Sequence, residues 1–311
     1  MPVYEGPEKR LEIILSSPLP GLRSDTDSRW KSVVNAGRAQ IISKISTDFM
    51  DAYLLSESSL FVWENRILII TCGKTAPVRA LPLLLNIVGK DRVAFLFYEQ
   101  RNFMISGGHS TDFENDVTDI TAWFPGKCFR LGRADHAYVD LFYFSHDTEN
   151  FQKMPALQIL MNDLCADAMQ IFCRNGNISA SETRSISGLN MLCNPKMIID
   201  DYLFFPCGYS LNGIREKQYL TVHVTPQPTN SYASFETGIM ENDWSNIMGK
   251  VLAVFRPARF SLILRIGMDA VNFSCCETVE SAVQGYLATD KNLYMADCGY
   301  KIIFLNYIRQ E

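Results

Sequence analysis

The sequence lacks any long uninterrupted hydrophobic run and any cluster of basic residues. Its 311 residues include 29 Lys or Arg and 34 Asp or Glu, which gives a net charge of -5. A membrane-spanning helix needs about 20 mostly apolar residues in a row, and proteins that bind nucleic acid carry basic patches that contact phosphates. We therefore expect neither a membrane nor a nucleic acid as a partner. The opening segment, MPVYEGPEKR, is charged and unlike a secretory signal, so we expect a cytoplasmic protein.

Recognisable metal-ligand and phosphate-binding patterns are missing as well. The nine cysteines are scattered without a CxxC pair, and the four histidines lie far apart in the chain. This distribution predicts neither a metal site nor a disulfide framework. Gly73-Lys74-Thr75 imitates the end of a phosphate-binding loop, but Leu68 stands where that loop requires glycine. Conventional cofactor enzymes are thereby disfavoured.

Short apolar strands mixed with helices make up most of the sequence. We expect helices at Pro77–Val88, Leu157–Phe172 and Asp243–Phe255. The strands do not alternate regularly with helices, which favours an α+β fold with antiparallel sheets. The polar stretch Arg174–Ser187 is the nearest approach to a break between two halves. The predicted strands are Tyr53–Trp63, Arg66–Cys72, Arg92–Tyr98, Tyr138–Phe144, Tyr219–Thr225, Phe260–Ile266 and Lys301–Leu305.

A hairpin in the first half brings a serine and a cysteine near one another. A turn at Glu64-Asn65 would pair Ser58 with Thr71 and Glu57 with Cys72. Simple alternation puts Ser58 and Cys72 on opposite faces, so we expect a bulge or a slipped turn where they meet. Taken singly, a strand serine is usually a surface residue and a strand-end cysteine an inert buried thiol.

A second hairpin places a hydroxyl beside an imidazole. Counting outward from the polar loop Arg215–Gln218 puts Ser210 directly opposite His223. Such a pair can transfer protons. A hydrogen-bonded structural histidine is the alternative for His223 alone, and only the clustering of these residues favours chemistry.

Several blocks resemble the eukaryotic S-adenosylmethionine decarboxylases. They occur in the family's order and extend over almost the whole chain. The blocks are Tyr4–Glu12 (YEGPEKRLE), Leu55–Val62 (LSESSLFV), Thr71–Gly73 (TCG), Pro206–Gly213 (PCGYSLNG), His223–Pro226 (HVTP) and Ser231–Glu236 (SYASFE).

The resemblance implies a fold, a reaction and a cofactor. The fold is a four-layer αββα sandwich with two central antiparallel sheets and an internal structural repeat, in one domain over residues 1–311. The reaction removes carbon dioxide from S-adenosylmethionine and supplies the aminopropyl donor for spermidine and spermine synthesis. The proenzyme cuts itself by serinolysis between Glu57 and Ser58 into chains 1–57 and 58–311. Ser58 becomes a pyruvoyl group, which forms a Schiff base with the substrate and requires no metal and no pyridoxal phosphate.

The resemblance also assigns roles in catalysis. Ser58 attacks the Glu57 carbonyl, Ser210 steadies the oxygen-rich intermediate, and His223 removes the Cα proton. Cys72 is the acid that protonates the substrate. Further residues serve substrate binding or processing: Tyr4 and Phe204 stack on adenine, Glu57 and Gln227 line the substrate site, and Glu5 and Glu8 are acids near the substrate, Glu8 being also needed for catalysis.

A charged pocket and the assembly state are further implications. Glu12 and Glu236 match acids that bind putrescine in animal enzymes, whereas two basic family positions are Ile70 and Gln100 here. Arg10 matches an arginine of plant and trypanosomatid enzymes and can replace the diamine's charge, so we expect no activation by putrescine. Members occur as monomers, homodimers or complexes with a paralogue, and these states stay open.

Gln227 is the main departure from the family pattern, because members usually have a glutamate here that binds both ribose hydroxyls. An amide oxygen accepts a weaker hydrogen bond than a carboxylate. Gln227 is thus the main argument for an alternative function, a weakly active or inactive paralogue that acts as an allosteric activating partner of another decarboxylase copy.

Replacing Gln227 with glutamate should tighten substrate binding. We expect a KM roughly tenfold lower, which corresponds to about 1.4 kcal/mol, with little change in kcat because the ribose is bound alike in the ground and transition states. Self-cleavage should not change, since no ribose takes part in it. Steady-state kinetics and a cleavage time course of both proteins check this, and an unchanged or raised KM would show that Gln227 does not face the ribose.

Overall fold

The structure is a computed structural model that describes residues 8–24, 28–56, 58–73, 75–102, 112–133, 136–146, 151–173, 178–239, 244–268 and 283–310. Tyr4, Glu5 and Glu57 of the predicted site lie outside the described residues. The chain divides into two compact units, Val3–Gln152 and Lys153–Glu311. The division precedes the polar stretch in which we expected a break.

The first unit is built on an eight-stranded antiparallel sheet with the strand order β2-β3-β4-β5-β1-β6-β8-β7. Short 3-10 turns at Pro77–Ala80 and Lys90–Arg92 flank its second helix. The helices are α1 (Arg29–Ala36), α2 (Leu81–Val88) and α3 (Asp112–Thr121). The strands are β1 (Lys9–Leu15), β2 (Ile41–Ser46), β3 (Met50–Leu55), β4 (Ser58–Trp63), β5 (Arg66–Thr71), β6 (Val93–Asn102), β7 (Lys127–Leu131) and β8 (Tyr138–Ser145).

The second unit contains another eight-stranded antiparallel sheet, in the order β10-β11-β12-β13-β9-β14-β16-β15. A 3-10 turn at Leu189–Leu192 follows its second helix. The helices are α4 (Ala166–Gln170), α5 (Ala180–Ser187) and α6 (Ser245–Phe255). The strands are β9 (Ala156–Asn162), β10 (Ile198–Leu203), β11 (Tyr209–Arg215), β12 (Gln218–Thr225), β13 (Tyr232–Thr237), β14 (Arg259–Gly267), β15 (Tyr286–Met295) and β16 (Tyr300–Arg309).

The two sheets have the same topology. Adding eight to each strand number of the first sheet reproduces the strand order of the second. The α+β class, the two antiparallel sheets and the internal repeat are therefore confirmed.

In each unit, helices cover one face of the sheet with an apolar core. Helix α6 buries Met248, Val251, Leu252 and Phe255, the i, i+3, i+4, i+7 spacing that makes one apolar face. These side chains pack with every second residue of the neighbouring strands, such as Val222 of β12. The intervening residues of β11 and β12 lie on the opposite face of the sheet. None of the helices among the described residues has the length and apolar character that crossing a bilayer requires.

Two of the predicted elements are wrong. Tyr53–Trp63 is not one strand, because β3 and β4 pair with each other and Leu55 lies opposite Ser58. At this reversal the sequence has serines but no glycine, proline or asparagine, and serine by itself is a weaker turn signal. Leu157–Phe172 is strand β9 followed by the short helix α4. The strand is buried on nearly its full length, and an apolar run of that kind does not distinguish strand from helix.

A disulfide also departs from the sequence-based prediction. Cys173 and Cys207 are bonded across 34 residues of sequence and form an isolated antiparallel bridge. Because the pair joins the end of one segment to a distant turn, no spacing pattern in the sequence predicts it.

Charged side chains are buried in the first unit where they form ion pairs. Glu12 is fully buried and its carboxylate contacts Arg10 at 3.0 Å and Arg66 at 2.5 Å. Arg101 pairs with Glu8 and, at 2.8 Å, with Glu99. Burying a charge is costly unless an opposite charge lies beside it, so these pairs are needed for the strands that carry them.

Replacing Glu12 with glutamine should destabilise the protein strongly. The change removes the negative charge that Arg10 and Arg66 share, and we expect the free energy of unfolding to fall by about 3–5 kcal/mol, as when one partner of a buried ion pair is lost. Urea titration measures the change. Glu64→Gln, at an exposed position, is the matched control and should alter stability by about 0.5 kcal/mol or less. Equal unfolding midpoints for the two variants would contradict the prediction.

Candidate active site

One group of predicted site residues in the first unit lies at the start of strand β4. Ser58 pairs with Thr71 across the β4–β5 hairpin, which confirms the predicted register, and with Leu55 of β3 on the other side. Ser58 is only 2% exposed. A nucleophile at this place is thus held between two strands by the ladder.

Ser58 and Cys72 meet by a route that differs from the predicted bulge. The hydroxyl oxygen of Ser58 lies 3.3 Å from the sulfur of Cys72, although β4 and β5 pair without a shift from Ser58 to Val62. The departure is in the backbone of Ser58, whose φ is +134°, a region that residues other than glycine rarely occupy. This torsion, rather than a register slip, accompanies their contact.

A turn after β5 carries Cys72 away from the ladder. The residue lies just beyond the last residue of the strand and is half-buried. Gly73 follows with φ of +72°, and the hydroxyl of Thr75 donates to the Cys72 carbonyl at 2.6 Å. The thiol is therefore held at a strand end close to Ser58.

Another group of predicted site residues, in the second unit, lies on the β11–β12 hairpin. Arg215 pairs with Gln218, so Glu216 and Lys217 form a two-residue turn. Ser210 lies directly opposite His223, as the sequence predicts. The Ser210 hydroxyl oxygen and His223 Nδ1 are 2.9 Å apart and both residues are 5% exposed. The pair has the geometry of a hydroxyl and its base.

Burial keeps the imidazole of His223 neutral. Loss of hydration disfavours the charged ring and lowers the pKa of His223 to about 4. Near pH 7 the ring is therefore neutral, with one nitrogen protonated and a lone pair on the other. Its other nitrogen, Nε2, lies 3.0 Å from the hydroxyl oxygen of Thr221.

Sequence reasoning missed Thr221 and its neighbour Asn212. They lie opposite each other one step along the same face of the hairpin, and the Thr221 hydroxyl donates to Asn212 Oδ1 at 3.0 Å. The period of two in a strand was the available signal, because residues two positions from Ser210 and His223 share their face.

Phe204 stands at a tight turn that precedes β11. Its backbone N–H donates to the Gly208 carbonyl at 2.8 Å, and its half-buried ring contacts Tyr202 edge-on at 4.8 Å between centroids. Gly208 has φ of +130°, and a Cβ there would lie 3.3 Å from the Cβ of Phe204. Phe205 beside it is 79% exposed, so this turn presents aromatic surface to solvent.

The remaining predicted site residues are distributed over both units. Arg10, Glu12 and Glu8 belong to the buried ion pairs of the first unit. In the second unit, Glu236 accepts a hydrogen bond from the Tyr219 hydroxyl at 2.6 Å, and Gln227 is half-buried just after β12. Among the described residues, no three His, Cys, Asp or Glu side chains are grouped as a metal site requires.

Comparison with known proteins decides the family. The family model described as adenosylmethionine decarboxylase matches residues 2–308.

The chain belongs to the adenosylmethionine decarboxylase family.

Relatives within this family match along nearly the whole chain. The S-adenosylmethionine decarboxylase proenzyme of Drosophila melanogaster is 36% identical over 99% of this chain and 96% of its own length. The proenzyme of Dictyostelium discoideum is 32% identical, with 98% and 85% covered, and that of Xenopus laevis is 30% identical, with 98% and 95% covered.

A solved member of the family has a similar fold. The crystal structure of the Trypanosoma brucei AdoMetDC-delta26 monomer superposes with a TM-score of 0.65 at 25% identity, covering 81% of this chain and 99% of the other. Fold and sequence therefore agree. The chain is an enzyme that decarboxylates S-adenosylmethionine in polyamine synthesis.

Proposed function

We propose that this decarboxylase cuts its own backbone between Glu57 and Ser58 and uses the pyruvoyl group formed at position 58 as its cofactor. The observation that carries the proposal is the φ of +134° at Ser58 beside a buried hydroxyl. A residue in such a conformation stores about 1–3 kcal/mol, and strain of this kind favours a reaction that breaks the peptide bond holding it. The chains of 1–57 and 58–311 would result.

The cleavage proceeds through an ester. Ser58 Oγ attacks the carbonyl carbon of Glu57, the amide C–N bond breaks, and the backbone nitrogen leaves as a free amine. His223 then removes the Cα proton of Ser58, and the Cβ–O bond breaks to release the Glu57 carboxylate and leave dehydroalanine. Hydrolysis of its imine tautomer releases ammonia and leaves the ketone. Ser210 donates to the oxygen-rich intermediate of the first step.

Burial leaves His223 with a lone pair on one ring nitrogen. Because its pKa is about 4, the ring is neutral at the pH of a cell, and this nitrogen can receive a proton. The Ser210 hydroxyl at 2.9 Å orients the ring through Nδ1.

Cys72 delivers a proton in the later reaction. The pyruvoyl group supplies an electron sink for the carbanion that decarboxylation leaves. The sulfur of Cys72 lies 3.3 Å from Ser58 Oγ, and this proximity supports a role for the thiol as the acid that protonates the substrate Cα.

Substrate contacts come from the remaining family positions. Phe204 on its exposed turn, together with Tyr4, stacks on the adenine, and Gln227 accepts from the ribose. Glu5 and Glu8 act as acids near the substrate, and Glu57 contributes to substrate binding.

The buried arginines argue for independence from putrescine. Arg10 already supplies a positive charge at 3.0 Å from the Glu12 carboxylate, and Arg66 supplies a second at 2.5 Å. A diamine would therefore add charge to a cluster in which Glu12 is neutralised. Glu236 matches a second acid of the family's pocket.

We place the enzyme in the cytoplasm and leave its assembly, as monomer, homodimer or complex with a paralogue, to solution measurement. Gln227 is the argument for an inactive activating partner, and the family model and the relatives do not favour that alternative.

The mass of the purified protein tests the proposed cleavage. We expect fragments of residues 1–57 and 58–311, the second beginning with a keto group. In His223→Ala the ester should form but eliminate slowly, so hydroxylamine should cleave that variant at position 58, because it attacks esters far faster than amides. His146→Ala, which changes an exposed histidine, should process as the wild type does.

Two outcomes would contradict this scheme. An uncut wild-type chain after prolonged incubation would rule out the self-cleavage. Wild-type elimination in His223→Ala would leave the cleavage but remove His223 as its base.

Replacing Cys72 with alanine separates proton delivery from cleavage. The variant should still be cut, at least in part, but should lose turnover number and inactivate during catalysis, because substrate protonation is no longer directed. Cys128→Ala, at an exposed thiol of the same unit, is the control. Turnover number and active lifetime are measured for both variants, and values equal to the wild type for Cys72→Ala would exclude the thiol from the reaction.

A further inference from the structure

We infer that Thr221 and Asn212 are positioning residues that hold the neutral ring of His223 with its proton on Nε2, which leaves Nδ1 as the basic nitrogen beside Ser210. The inference rests on the proposed role of His223 in self-cleavage. It adds two residues of β11 and β12 to that reaction.

The polar side chains follow one another in a fixed order along the hairpin. Asn212 lies opposite Thr221 and Ser210 lies opposite His223 in one ladder, with a single pair of residues between them. Because side chains two positions apart share a face, the four side chains form one row. The row is buried, with Asn212 0% and Thr221 1% exposed.

The Thr221 hydroxyl has two polar neighbours but only one hydrogen to donate. Thr221 Oγ1 lies 3.0 Å from Asn212 Oδ1 and 3.0 Å from His223 Nε2. A hydroxyl has a single hydrogen, and Thr221 donates it to the amide oxygen of Asn212. The Thr221 oxygen can then only accept from the ring, so Nε2 carries the proton.

The opposite side of the His223 ring faces Ser210. A neutral imidazole has one protonated nitrogen, so Nδ1 presents its lone pair to Ser210 Oγ at 2.9 Å. When Nδ1 takes a proton, the Nε2–H bond to Thr221 stays in place and the ring need not rotate. A group that fixes the tautomer of a catalytic histidine affects rate without contacting the substrate.

Burial and the residues of the neighbouring strands define the environment of this row of side chains. Burial lowers the pKa of His223 to about 4, so near pH 7 the neutral ring carries a single proton on one of its two nitrogens. Glu236 of β13 lies across the ladder from Thr221, and its carboxylate accepts from the Tyr219 hydroxyl at 2.6 Å. On the other side, Asp200 of β10 pairs with Asn212.

Two substitutions change the row in different ways. Thr221→Val keeps the side-chain shape but removes the acceptor for Nε2–H, so the proton should move toward Nδ1. Asn212→Leu keeps the Thr221 hydroxyl but removes the oxygen to which it donates; the hydroxyl then turns toward Nε2 and the ring should carry its proton on Nδ1. Thr221→Ser retains the hydroxyl and should behave as the wild type.

A matched control removes a buried hydroxyl that does not contact His223. Thr237 is 2% exposed and donates to the Tyr219 carbonyl at 2.8 Å. Thr237→Val should therefore cost comparable stability and leave the ring unaffected.

The experiment reads the tautomer and the reaction separately. Nitrogen-15 spectra of histidine-labelled protein near neutral pH report which ring nitrogen of His223 is protonated, with the assignment made by His223→Gln. The elimination step is followed by the decay of the hydroxylamine-sensitive ester. For Thr221→Val we expect a shifted tautomer and elimination slowed by about tenfold, the effect of one buried hydrogen bond. Thr221→Ser and Thr237→Val should show neither change.

The outcomes distinguish this inference from the proposed function. An Nε2–H tautomer that persists in both Thr221→Val and Asn212→Leu would overturn the inference, whether or not His223 is the base. A shifted tautomer with wild-type elimination would overturn the positioning role. If His223→Ala eliminates normally, the proposed role of His223 fails, while the spectra still test how the ring is held.

Discussion

A two-residue turn at Glu216 and Lys217 determines which side chains face one another along β11 and β12. The period of a strand is two residues, so a slip of one position would send every side chain to the opposite face. At the observed register Ser210 and His223 meet on one face, while Val222 and its neighbours pack into the apolar core on the other. Core packing thus holds the register that the polar row requires.

Burial has different consequences in the two units. In the first, charged groups are retained because each has a counter-charge, as Glu12 has in Arg10 and Arg66. In the second, the buried row on β11 and β12 consists of hydroxyl, amide and imidazole groups, and the same loss of hydration keeps His223 neutral. Loss of hydration therefore requires ion pairs among the buried charges of the first unit and keeps His223 of the second unit neutral, as a proton acceptor.

The repeated topology does not repeat the chemistry. The β3–β4 pair occupies in the first sheet the place that β11–β12 occupies in the second. The first of these pairs ends at Ser58, where the backbone is in an unusual conformation, and the second carries the Ser210–His223 pair. Equal strand order leaves side chains free to differ, because hydrogen bonds of the ladder involve the backbone alone.

The sequence by itself determined the family and the fold class. It also determined the pairing of Ser210 with His223, because a strand register counted from a short turn is a local property. It also predicted that Ser58 lies opposite Thr71. Only the tertiary structure decided the reversal of the chain before Ser58, the torsion that accompanies its contact with Cys72, and the bond between Cys173 and Cys207. These features depend on contacts between distant segments, which override local preference and leave no periodic signal in the chain.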